Sequence, residues 1–148
     1  MPTYTVKYSN FELSKEKKKK IAKGITKIHS EVTGANTYFA QVVFEQTRKN
    51  SHFMGGKPTK GKEIFLNGQI RNGRSPLIKK KLILCLKNIL TDIINIRKDK
   101  IWIYLQDLPP EQMIEYGEIL PQSGKEKKWF ESLPTVLKKR LKKIENTK

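Results

Sequence analysis

Tyr4 and Val6 alternate with polar neighbours at the start of the chain, so Pro2 to Tyr8 reads as a half-buried strand. Ser14 follows as a helix N-cap with Glu16 in the first turn. Ile21, Ile25, Ile28 and Val32 then fall on one helical face before Gly34 closes the helix. Phe39 to Gln46, rich in Val and Phe, is the next strand, and a helical crossover between two neighbouring strands makes them parallel. Asn50 to Gly61 holds three Gly and one Pro and reads as a loop.

The same order then returns. Ile64 to Ile70 is a strand, Ser75-Pro76 is an N-cap followed by the proline favoured at the first helical position, and Leu82, Leu86, Ile89 and Ile93 form a second apolar face. Ser14 and Ser75, Ile21 and Leu82, Ile25 and Leu86, Ile28 and Ile89, and Val32 and Ile93 are each 61 positions apart. Ala40, Val42 and Phe44 are answered at the same spacing by Ile101, Ile103 and Leu105. Such doubling predicts an α+β fold in which two fused β-α-β units form a four-stranded mixed sheet with two helices on one face. From Pro109 onward nothing repeats. Gln112 to Glu118 is expected to form a short helical turn, Pro121 to Lys125 a loop, and Trp129 and Phe130 an aromatic anchor. Thr135 to Lys148 is helical in pattern, with Val136, Leu137, Leu141 and Ile144 set among lysines.

Charge changes the range of partners but not the fold. Thirty-one Lys and Arg against fourteen Asp and Glu give +17 over 148 residues, which suits an anionic partner of some kind. Nucleic acid is not expected, because neither a known module nor basic residues interleaved with exposed aromatics is visible. The lone Cys85 cannot form an intramolecular disulfide, no secretory signal is visible, and the longest apolar run, Leu82 to Leu86, is too short to span a bilayer. A cytoplasmic location without membrane insertion is the expectation. His29, His52 and Cys85 are scattered without ligand spacing, so no metal is expected. No glycine-rich phosphate loop points to a cofactor either.

Chemistry concentrates at a few positions. Removal of Met1 would leave Pro2 with a secondary amine, and an α-amino group of ordinary pKa, about 7.7–8.0, is readily poised as acid or base near neutrality. In Gly68-Gln69-Ile70-Arg71-Asn72-Gly73-Arg74-Ser75 two guanidiniums flank a flexible Asn-Gly just before a helix N-terminus. Both the forks and the helix dipole favour an anion such as a planar carboxylate, although the same residues also suit a solvated basic loop. His29, next to Ile28, is expected at the border between core and surface, where most histidines are merely packed. Tyr104 on the fourth strand suits either core or catalysis. Glu115, after a Pro-Pro break and between Ile114 and Tyr116, suits either a general base toward water or an exposed carboxylate.

With Pro2, the doubling and the two arginines together, the chain resembles the tautomerase superfamily. Within it the likeness is to the cis-3-chloroacrylic acid dehalogenase branch, in which two short β-α-β units are fused. That resemblance covers about Pro2 to Phe130, and includes Glu-Tyr-Gly and a later Pro in the tract Met113 to Trp129. The branch's functional set of proline, histidine, two arginines, tyrosine and glutamate is matched by Pro2, His29, Arg71, Arg74, Tyr104 and Glu115. The resemblance implies catalytic roles for Pro2, Tyr104 and Glu115, and substrate binding by His29, Arg71 and Arg74. It also implies a homotrimer, no cofactor, and a small unsaturated or keto carboxylic acid that is hydrated, dehalogenated or tautomerised. The organisation it suggests is one domain over residues 2–130, made of pseudo-repeats 2–61 and 62–108 and an active-site segment 109–130, followed by a basic tail 131–148. The lysine content and that tail depart from the resemblance. The alternative reading is a basic nucleic-acid- or anion-binding protein on an inactive tautomerase scaffold.

Overall fold

The computed structural model describes residues 2–146. The chain runs β1 (Thr3–Ser9), α1 (Lys15–Thr33), β2 (Gln41–Gln46), β3 (Phe53–Met54), β4 (Lys57–Pro58), β5 (Glu63–Arg71), α2 (Pro76–Ile94), β6 (Ile101–Leu108), β7 (Ile114–Glu115), β8 (Glu118–Ile119), α3 (Glu126–Ser132) and α4 (Thr135–Asn146). Removal of Met1 and the end of the expected tail, Thr147 and Lys148, lie outside the described residues.

Both long helices start and stop by the same local chemistry. Ser14 Oγ accepts from the Lys17 N–H and Ser75 Oγ from the Ile78 N–H, each satisfying a first-turn donor that has no partner within the helix. Gly34 (φ 72) closes α1 and Asn95 (φ 53) closes α2, both in the left-handed region where these two residue types are tolerated. The repeat therefore extends to the C-caps, and further to the single 3-10 turns Thr37–Phe39 and Lys98–Lys100. Only the first strands break the spacing. Tyr4, Val6 and Tyr8 point inward in β1, and Ile64, Leu66 and Ile70 do so in β5, so the inward sets are offset by an even number rather than by 61. A change of one residue in the strand-to-helix loop accounts for it, because a one-residue slip reverses every side chain of a strand.

The sheet order is β2-β1-β5-β6, with β1 parallel to β2, β5 parallel to β6, and the two units joined by antiparallel β1 and β5. The α+β class and the mixed four-stranded sheet match the expectation. One face of the sheet packs on both helices, burying Tyr4, Val6, Ile64, Leu66 and Ile70 against Ile21, Ile25, Leu82, Leu86, Leu90 and Ile94. Each such aliphatic side chain contributes about 1.5–3 kcal/mol. Gly24 lets the helices approach, since a Cβ there would lie 1.8 Å from Ile89 Cδ1. The opposite face leaves Val43, Trp102 and Tyr104 exposed.

Two segments differ from the sequence reading. The 50–61 loop contains the hairpin β3-β4, and the expected helical turn at 112–118 is instead the hairpin β7-β8, preceded by a 3-10 turn at Pro110–Gln112. Each hairpin turns through two residues of positive φ, Gly55-Gly56 and Tyr116-Gly117, as a two-residue loop matched to strand twist requires. Beyond residue 130, Leu133 and Leu141 are buried in a second apolar cluster with Ala35, Tyr38, Phe39 and Leu120.

Gly68 has no room for a side chain: a Cβ would come within 2.7 Å of both Tyr4 Cε1 and Leu105 Cδ2. Gly68→Ala is expected to destabilise the fold by about 1–3 kcal/mol through overpacking, read as a lowered urea midpoint at unchanged m-value.

Candidate functional site

Strand direction decides what meets at the site. β1 and β2 begin at one end of the sheet, and β5 and β6 end there, because the two units are joined antiparallel. The crossover helices bring the C-terminus of α1 and the N-terminus of α2 to the same end. This collects Pro2 before β1, His29 in the last turns of α1, Arg71 as the last residue of β5, Arg74 just before α2, and Glu115 beyond β6.

Pro2 is buried, and its carbonyl accepts from the Gln41 N–H at 3.0 Å. Arg71 is almost wholly buried: Nη1 donates to the Pro121 carbonyl at 2.8 Å and Nη2 pairs with the Glu126 carboxylate. Arg74 Nη1 donates to the Arg71 carbonyl at 3.0 Å. A cavity of about 300 Å³ is lined by Arg71, Arg74, Thr33, Asn36 and Glu126, and a neighbouring one of about 450 Å³ by Glu115, Thr3, Gln41, Tyr38 and Met113. Phe39 lines both, so the arginines and the carboxylate of Glu115 occupy adjoining spaces.

His29 is buried rather than at the border expected for it, because Tyr4 reaches across from β1 and its hydroxyl lies 2.7 Å from His29 Nδ1. Burial, and after it the charge of Arg74, lowers the His29 pKa to about 3. Burial pushes the Tyr4 phenol up despite the same cation, so it stays protonated. Burial and the neighbouring Arg71 both lower Arg74. Partial burial opposes the Glu126 charge, and the hydrogen bond from Arg71 outweighs it, leaving that carboxyl below its usual range. Among the described residues, the buried side-chain nitrogens left without a hydrogen-bond partner are His29 Nε2 and Arg71 Nε. Buried polar atoms left unpaired in this way are costly unless something else occupies them.

Tyr104 is not brought to these residues within one protomer. It stands on the exposed sheet face, packed edge-on against Phe65 at 5.1 Å and beside Trp102. Its register partner is Asn67, four residues short of the strand end at Leu108, or about 13 Å along the strand. Sequence reasoning missed Tyr4 and Glu126. Tyr4 was legible as an inward strand position, but nothing local links it to a histidine 25 residues away. Glu126 sits among lysines with no signal of its role. No group of three His, Cys, Asp or Glu suited to a metal ion occurs among the described residues, and no helix there is long and apolar enough to cross a membrane.

Comparison with known proteins gives a consistent picture. The family model described as "putative oxalocrotonate tautomerase enzyme" matches residues 1–132. The solved structure of N1, a member of the cis-3-chloroacrylic acid dehalogenase family, is similar at 28% identity and a TM-score of 0.91, covering 95% of this chain and 99% of that one. Two further similar structures share the fold. The Q0 fused 4-OT wild-type symmetric trimer has 15% identity, TM-score 0.72, and 80% and 94% coverage. The R7 fused 4-OT wild-type asymmetric trimer has 19% identity, TM-score 0.68, and 78% and 94% coverage. No curated protein matches the chain.

The His29 shift has a direct consequence for stability. A histidine neutral in the folded state down to about pH 3, but protonated below about pH 6.5 when unfolded, makes the unfolded state bind more protons between those values, so stability falls as pH falls. The slope it contributes approaches 1.4 kcal/mol per pH unit well inside that window. Urea unfolding at pH 7, 6 and 5 should show a steeper loss for the parent than for His29→Gln.

Proposed function

Because this chain belongs to the tautomerase superfamily, in its cis-3-chloroacrylic acid dehalogenase-like branch, we propose that it is a cofactor-independent cytoplasmic enzyme acting on a small unsaturated or keto carboxylic acid. Pro2, freed as a secondary amine by removal of Met1, would hydrate, dehalogenate or tautomerise that acid. The observation that carries this reading is that the two buried side-chain nitrogens without a partner, Arg71 Nε and His29 Nε2, both belong to the residues expected to hold a carboxylate.

In this reading Arg74, Arg71 and His29 bind the carboxylate, drawing electron density from the conjugated alkene. Glu115 takes a proton from water as the water oxygen adds to C3, Tyr104 assists, and the Pro2 ammonium delivers a proton to C2. Where C3 carries a halogen, the adduct expels halide and a proton to leave an aldehyde acid. With Pro2 neutral, the amine instead takes a proton from one end of an enol and returns it at the other. The arginines favour the neutral amine and Glu115 the ammonium.

Tyr104 faces away from the other residues of its own protomer, so its part requires a neighbour. The exposed Trp102, Tyr104 and Val43 leave a sheet face that three copies would cover, and similar folds are trimers in the fused 4-OT structures.

Two sets of measurements test this. With Met1 removal verified by intact mass, Arg74→Ala should lower kcat/KM for cis-3-chloroacrylate about 10- to 150-fold, the loss of a charge-assisted bond. Glu115→Gln should lower hydration about 10²- to 10⁴-fold while sparing enol-keto exchange of a simple keto acid. Equal hydration by Glu115→Gln and parent refutes the water-activating role. The second is sedimentation velocity at micromolar concentration: the parent should run as a trimer and Trp102→Asp as smaller species.

A further inference from the structure

The roles above leave Tyr4 without one, although its geometry is specific. Its ring lies over Gly68, which has no Cβ to displace it, and stands edge-on to the His29 imidazole with centroids 5.7 Å apart and planes at 69°. Both side chains are buried, and the contact of the phenol with Nδ1 at 2.7 Å is the one hydrogen bond it makes among the described residues. A phenol carries a single hydrogen, and a neutral imidazole carries one on either nitrogen. If Nδ1 held that hydrogen and donated it to the phenol, the phenolic hydrogen would be left in the core without an acceptor, at the full cost of an unmade buried bond. With the phenol donating instead, Nδ1 accepts, the imidazole hydrogen sits on Nε2, and both partners of the contact are satisfied. What remains is Nε2–H, the very atom that has no partner.

His29 does not itself line the arginine cavity, but its helix does. Thr33, one turn along α1 from His29 and bonded through Oγ1 to the His29 carbonyl at 2.7 Å, lines the cavity that holds Arg71 and Arg74. Arg74 is close enough for its charge to act on both His29 and Tyr4. A protonated imidazole there would add a further cation beside Arg71 and Arg74. A neutral ring with a directed N–H adds a hydrogen bond without that repulsion.

We propose that Tyr4 is a positioning residue whose hydroxyl, by donating to Nδ1, holds His29 as the neutral Nε2–H tautomer and so aims one N–H donor at a carboxylate oxygen of the substrate beside Arg74. The identity of the acceptor rests on the carboxylic-acid reading; the hold of Tyr4 on His29 does not. The histidine then contributes orientation, fixing the plane of the carboxylate, while the arginines contribute charge.

The test is a long-range ¹H–¹⁵N NMR spectrum of histidine-labelled full-length protein at pH 7, with steady-state kinetics on cis-3-chloroacrylate. The parent should show His29 as the Nε2–H tautomer, and Tyr4→Phe should lose that preference. Tyr8→Phe, which deletes the hydroxyl of a neighbouring buried tyrosine, should keep it. Tyr4→Phe should raise KM roughly three- to tenfold with kcat within about twofold, as loss of a ground-state hydrogen bond predicts. An Nδ1–H tautomer or an imidazolium in the parent overturns the proposal, and that measurement stands even if Tyr4→Phe fails to fold. An unchanged tautomer in a folded Tyr4→Phe also overturns it. A parent that shows the Nε2–H tautomer but turns over neither unsaturated nor keto acids refutes the enzymatic reading and supports the Tyr4 assignment.

Discussion

Antiparallel pairing of β1 with β5 is the constraint on which the rest of this molecule depends. Each β-α-β unit by itself has parallel strands and one helix, and either unit would leave two sheet edges bare. Joining them through β1 and β5 places the start of the chain beside the end of β5, with Thr3 opposite Gln69, so that Pro2 and Arg71 belong to the same rim. The same pairing makes the two helices antiparallel and lays them side by side, which is where Gly24 and Ile89 meet. A parallel union would have put Pro2 and the arginines at opposite ends of the sheet.

Charge at that rim is managed by unequal means. Arg71 is buried, and the chain supplies it with Glu126 and the Pro121 carbonyl, since a guanidinium taken from water without partners is costly. Arg74 is only half-buried and rests on a backbone carbonyl. His29 avoids the cost by staying neutral. The ion pair with Glu126 also gives the segment after β8 a structural task, because it ties α3 to the end of β5, while Leu133 and Leu141 close the apolar cluster behind Phe39. In the function proposed above, the arginine that attaches the C-terminal helices would also bind substrate.

The two faces of the sheet follow different rules. The helix-covered face is a close-packed core, as the Gly68 contact with Tyr4 and Leu105 illustrates. The other face carries Thr3, Thr5, Asn67 and Gln69 together with the aromatic group Phe65, Trp102 and Tyr104. That mixture is too polar for an interior and more aromatic than an ordinary solvated surface, which fits the association of copies proposed above.

What the sequence determined by itself was whatever depends on local pattern. Periodicity and caps located β1, α1, β5 and α2, and the 61-residue spacing of Ser14 and Ser75 with the apolar faces behind them established the doubled architecture. Periodicity reports burial, and burial is felt residue by residue along one element. The family likeness named Pro2, His29, Arg71, Arg74, Tyr104 and Glu115 as a group, but not which of them meet in one protomer. Tertiary structure decided that. It drew His29 into the core through a hydroxyl 25 positions away, matched Arg71 with Glu126 55 positions away, and left Tyr104 on the far face. The two hairpins were likewise missed, since each strand is two residues long and too short to show alternation. Hydrogen bonds and ion pairs between distant segments leave no period in the chain, because their partners are chosen by where the backbone has already been placed.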